Sequence, residues 1–122
     1  METVPIYDVG ESLPVSLDAF HNRPCALPFS HPDYVPPTPQ EVDRLIKLKG
    51  WSQSEAAALV GVSFSPKKGS STIRKWRTKP ESDDARPIPY SAWRLLLLYA
   101  GVVAIDEGLA ALDKRSNYGE EQ

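Results

Sequence analysis

Ser52-Gln53-Ser54-Glu55-Ala56-Ala57-Ala58-Leu59-Val60-Gly61-Val62-Ser63 opens the stretch that decides the fold, and Thr72-Ile73-Arg74-Lys75-Trp76-Arg77-Thr78-Lys79 closes it. Ser52 is a good N-cap, and Glu55 three residues later completes a capping box. Ala56, Ala57, Leu59 and Val60 give a small apolar face that lets a second helix approach closely. Gly61 can take the left-handed conformation that ends this helix, and Val62 is placed to plug the core beneath the turn. Ser70 or Ser71 can cap a second helix, on which Ile73 and Trp76 fall one turn apart on one face. Thr72, Arg74, Lys75 and Arg77 lie on the other. This is a helix-turn-helix with a lengthened middle, apolar inward and cationic outward, as a helix entering a major groove requires. A plain helical hairpin in an unrelated all-α domain has the same local pattern.

On Gln53, Ala57, Gly61, Val62, Ile73 and Trp76 the chain resembles the DNA-binding motif of the Xre/Cro family of phage and plasmid repressors. With Arg86-Pro87-Ile88-Pro89-Tyr90 and the helix after them, it also resembles the small anti-CRISPR-associated regulators of mobile elements. The resemblance covers about residues 33 to 101. It implies that Gln53 hydrogen-bonds a DNA phosphate, helped by the amides of the helix start. It also implies a homodimer on two half-sites of a palindromic operator. The family joins its two helices by a turn of about 3–4 residues, whereas residues 64–69 here are an insertion.

That insertion carries Lys67, Lys68 and Gly69 beside Ser70 and Ser71. It reads as a flexible cationic finger whose lysines suit phosphate oxygens, or else as an insertion without function. Arg74 and Arg77 are three apart and share a side, and an arginine can read guanine bidentately. Lys75 and Lys79 suit phosphates, and Ser70, Ser71 and Thr72 suit either target.

Charge supports this placement. The chain carries a net charge of −2, which looks wrong for a polyanion binder. Yet residues 41–79 hold nine Lys/Arg against three acids, while the flanks hold one against five and four against eight. The local field of a basic stripe steers DNA, since screening limits reach to about 8–10 Å at physiological salt.

Upstream, Thr38 caps a helix with Pro39 at its first position and Glu41 closing a second capping box. Val42, Leu45, Ile46 and Leu48 form its apolar face, Gly50 ends it, and Trp51 packs under the junction. Eight of the twelve prolines lie in the first forty residues. They force extended backbone, so residues 1–37 read as an arm with loosely alternating Val4, Ile6 and Val9. Residues 12–20 suit a short strand or one helical turn. Leu17, Phe20, Leu27, Phe29 and Tyr34 are the expected anchors of the arm on the body or on a protein partner.

Downstream, Ala92-Trp93-Arg94-Leu95-Leu96-Leu97-Leu98-Tyr99-Ala100 is apolar all round, so it must be covered on more than one side. Trp93, Leu96, Leu97 and Tyr99 are the expected subunit interface. Val102, Val103, Ile105, Leu109 and Leu112 suggest a further amphipathic helix over 102–115. The expected fold is all-α, a helix-turn-helix bundle of four to five helices. Its parts are the arm at 1–37, a DNA-binding domain with dimerising C-terminal helices at 38–115, and a flexible tail at 116–122.

Other chemistry is not indicated. His21, Cys25 and His31 match no common zinc spacing, so neither metal nor cofactor is expected. GxSxG, HExxH and Walker patterns are missing, and Asp83 and Asp84 sit in an acidic loop, so no enzyme is expected. No run reaches the length of a membrane span, and a single cysteine fits a reducing cytoplasm. The expected function is a sequence-specific regulator, most simply a dimeric repressor of its own phage or mobile-element operon. A DNA-binding antitoxin and a protein-interaction module are the alternatives.

Overall fold

The computed structural model describes residues 13–120. Among them are six α-helices, one 3-10 turn and no strand. They are α1 (Leu17–His21), the 3-10 turn Pro24–Ala26, α2 (Pro39–Lys49), α3 (Gln53–Val60), α4 (Ser71–Trp76), α5 (Tyr90–Ala100) and α6 (Ile105–Glu120). None is long and apolar enough to cross a membrane.

Local chemistry explains the boundaries of the central helices. Thr38 Oγ1 accepts from the Glu41 amide at 3.1 Å, and Glu41 Oε1 accepts from the Thr38 amide at 2.9 Å. Ser52 and Glu55 repeat the arrangement at 3.0 and 2.9 Å. Each box satisfies two of the four amides a helix start leaves open, which is worth about 1 kcal/mol. Gly50 and Gly61 end α2 and α3 at φ 72° and 82°, in the left-handed region where a side chain would be strained.

The core is built on α5. α3 packs against both α4 and α5, and α2 packs on α5. Ala56 and Ala57 are fully buried, and their small size brings α3 close. Val42, Leu45, Ile46, Ile73 and Trp76 fill the same core from α2 and α4. Four leucines in a row do not share one fate. Leu96 and Leu97 are fully buried, whereas Leu95 and Leu98 are half-buried.

The proline-rich segment is part of this core. Residues 16–21 form the helical alternative, with Ser16 capping α1. Phe20 and Cys25 are fully buried, and the Phe20 ring lies 6.2 Å from that of Trp93. Trp93 Nε1 donates to the Cys25 carbonyl at 2.9 Å, and Arg94 donates to the Ala26 carbonyl at 2.8 Å. So α5 grips the 3-10 turn with two side chains, and the expected boundary at residue 37 does not divide the core. Arg23 Nε donates to Glu41 Oε2 at 2.6 Å, and the Cys25 thiol lies 3.5 Å from the same oxygen. Burial, with Glu41 beside it, pushes that thiol far up, so Cys25 stays protonated.

Of the other expected anchors, Leu17 packs against the core, while Phe29 is 65% exposed and stacks with Tyr34 and Tyr90. Val102 and Val103 are buried in the turn before α6 rather than within it, and α6 continues past the expected end at residue 115. The alternation of Val4, Ile6 and Val9, and residues 121–122 of the expected tail, lie outside the described residues.

Candidate nucleic-acid interface

The candidate surface is formed by the start of α3, the insertion and α4. Ser70 is the N-cap of α4, its Oγ accepting from the Ile73 amide at 3.2 Å. Ile73 and Trp76 point inward and are 0% and 5% exposed. This fixes the outward face, where Ser71 and Arg74 are exposed and Thr72 and Lys75 half-exposed.

The insertion is not the flexible finger that its lysines suggested. It is a closed hairpin, in which Ser65 and Gly69 exchange both backbone hydrogen bonds at 2.8 Å. Pro66 suits the second position of the turn, and Gly69 takes φ 81°. Two side chains of α3 hold the hairpin down. Ser54 Oγ donates to the Ser65 carbonyl at 2.8 Å, and Gln53 Oε1 accepts from the Ser70 amide at 3.0 Å. Gly69 lies so close on Gln53 that a methyl there would collide with Oε1 and approach Cβ and Cδ to 3.2 Å. Lys67 and Lys68 are left exposed at the tip. An open groove between hairpin and α4 is lined by Gln53, Ser65, Lys68, Ser71 and Arg74.

With its oxygen engaged, Gln53 keeps its Nε2 protons unclaimed among the described residues, available to an anion. Of the expected site residues, Gln53, Lys68, Ser71 and Arg74 line this groove, while Lys67 is exposed and Thr72 and Lys75 are half-exposed. Lys79 is also exposed, three residues beyond the end of α4.

Others need correction. Ser70 is 2% exposed and its hydroxyl is spent on the cap, so it is structural. Arg77 is turned onto α2, where its Nε and NH2 meet Asp43 Oδ1 at 2.7 and 2.6 Å. Its side chain is 18% exposed, so it does not accompany Arg74 outward. Trp93, Leu96 and Leu97 are fully buried within this chain and have no surface to offer a second subunit. Only Tyr99 of that set is exposed, at 54%.

Sequence reasoning missed three contributors. Ser54 and Gly69 set the position of the hairpin, and a glycine after a Pro-Lys-Lys turn was a usable signal for the left-handed residue. Asp43 gave no signal, because its partner lies 34 residues away.

The metal candidates are dispersed. His31 Nδ1 accepts from the Asp33 amide, His21 lies 3.6 Å from Glu107, and Cys25 is in the core. Among the described residues no three His, Cys, Asp or Glu side chains are grouped so as to hold a metal.

Comparison with known proteins gives two relatives. The chain is 36% identical over 75 residues to a transcriptional repressor protein KorC of Escherichia coli, across 62% of this chain and 79% of the relative. A second KorC protein of Escherichia coli is 36% identical over 69 residues, across 57% and 72% of the two chains. No family model matches the chain, and no solved structure matches it.

Proposed function

The chain belongs to the family of the transcriptional repressor protein KorC, and from that premise we propose that it is a DNA-binding transcriptional repressor of Xre/Cro-like type. The observation that carries the reading is the division of α4. Ile73 and Trp76 are locked inward, so Ser71, Thr72, Arg74 and Lys75 are presented outward on a rigid support. Arg74 reads a base edge in the major groove, and Ser71 and Thr72 assist it. Lys75 and Lys79 contact phosphates. The Gln53 amide and the Lys67–Lys68 tip grip phosphates on either side of the groove.

We further propose that the repressor is a dimer on a two-fold symmetric operator, with the subunit contact moved from the buried leucines to the α5–α6 surface. Tyr99, Ile105, Leu109 and Leu112 are 53–70% exposed there, half of all the exposed large apolar residues among those described. Ile105, Leu109 and Leu112 recur at helical spacing along α6. An exposed apolar stripe of this kind can face its own copy, as a two-fold contact requires.

The test is a gel shift on the DNA just upstream of the reading frame against scrambled DNA, at low and physiological salt. Selective retention of the upstream fragment at physiological salt is expected of a repressor of its own operon. Equal binding to both fragments that vanishes with salt means a basic patch without readout. No retention at either salt overturns the reading.

A further inference from the structure

Three acids stand in the basic stretch 41–79, and two have structural duties. Glu41 is fully buried on Arg23, and Glu55 caps α3. The third, Asp43, lies on α2 between two cations. Its Oδ1 takes Arg77 through Nε and NH2, and its Oδ2 lies 2.9 Å from Lys47 Nζ. Arg77 is the C-cap of α4, so this contact joins α2 to the end of the helix that carries Arg74. Lys47 remains 66% exposed.

We propose that Asp43 is a specificity-determining residue: it anchors the presenting helix through Arg77 and withholds Arg77 and Lys47 from DNA phosphates. This rests on the DNA-binding reading above. Phosphate contacts carry no sequence information, and every added one strengthens binding to all DNA. An unrestrained arginine at the end of α4 is a strong phosphate ligand by its planar fork. A carboxylate that captures it lowers the indiscriminate part of the affinity. The same contact fixes the angle of α4 on α2, which keeps Arg74 in register with bases. Lys75, which has no acid partner among the described residues, keeps its charge for the backbone.

The test uses the full chain with Asp43→Asn, titrated with upstream and scrambled DNA over a range of salt. Tighter binding to scrambled DNA is expected. Its salt slope should steepen by about 0.9 for each cation that reaches a phosphate. The preference for upstream over scrambled DNA should fall several-fold. Adding Arg77→Gln should remove the steepening that Arg77 causes. A folded Asp43→Asn protein, with wild-type helical circular dichroism, whose slope and preference are unchanged overturns the proposal. Where Asp43→Asn does not fold, Arg77→Gln alone decides. A withheld arginine leaves the slope on scrambled DNA unchanged, and a flattening of about 0.9 overturns the proposal. A wild-type chain that binds neither DNA brings down the DNA-binding reading itself, and this inference with it.

Discussion

Gln53 Oε1 accepts the backbone N–H of Ser70 at 3.0 Å, so the first residue of α3 is joined directly to the N-cap of α4. The inserted hairpin leaves the chain just after α3 and returns at this bond. Six added residues therefore do not separate the two helices. They are folded back and pinned, and the spatial relation of α3 to α4 is set by Gln53 rather than by the length of the connection.

Gly69→Ala tests this closure, and Gly61→Ala is its control. Both glycines have positive φ, 81° and 82°, so both variants bear strain of about 1–2 kcal/mol. A methyl at Gly61 meets nothing within 4 Å, whereas one at Gly69 meets Gln53. Gly61→Ala should lower stability and spare DNA affinity in the folded protein. Gly69→Ala should lower both, measured by urea unfolding and by DNA titration. Equal DNA affinities in the two variants would contradict the role of the pinned hairpin.

Much of the bundle was legible because its signals are local. Thr38 with Glu41, Ser52 with Glu55, the glycines at 50 and 61, and the Ile73–Trp76 seam are all decided within four residues of sequence. What was not legible depends on distant partners. Pro-rich composition suggested an arm, but Trp93 and Arg94 reach back 68 residues to hold the 3-10 turn. Four leucines announce burial without saying which side faces the core. Charge marks Arg77 as a DNA contact as readily as Arg74, and only the fold brings Asp43 against it.

The embedded segment gives a stability prediction. Arg23 is 11% exposed at the side chain and Glu41 0%, at 2.6 Å. Removing one partner of such a buried pair costs about 3–5 kcal/mol. Arg23→Ala should lower the urea midpoint by that amount of stability, and the Cys25 thiol should react with a thiol reagent only when the chain unfolds. A midpoint near that of the wild type, or rapid labelling of the native protein, would place residues 14–26 outside the core.

Asp43 makes a prediction about pH. Burial pushes its carboxyl up, but hydrogen bonds and charge from Lys47 and Arg77 outweigh this and hold it below the usual carboxylate range. A group depressed in the folded state stabilises above its unfolded pKa, about 3.9 for Asp, and that contribution is lost as pH falls through the folded value. The stability gap between wild type and Asp43→Asn should be constant from pH 7 to about 5 and shrink below about 4. Urea unfolding of both proteins across this range measures it. A gap independent of pH would show that Asp43 bears no functional ion pair.

Leu109→Asp tests the α5–α6 contact. Leu109 is 55% exposed, so the substitution should leave the melting temperature of the single chain nearly unchanged. On the proposed dimer, sedimentation should show a dimer for the wild type and a monomer for the variant, and affinity for a two-half-site operator should fall steeply. A dimer that survives would move the contact elsewhere.

The most direct measurement is the base-preference profile of Arg74→Ala beside that of the wild type, on a library of variants of the retained upstream DNA. Loss of preference at one position of each half-site is predicted, with about 1–3 kcal/mol less affinity for the best sequence. An unchanged profile, with affinity lowered equally for every sequence, would contradict base reading by α4 and leave Arg74 a phosphate contact.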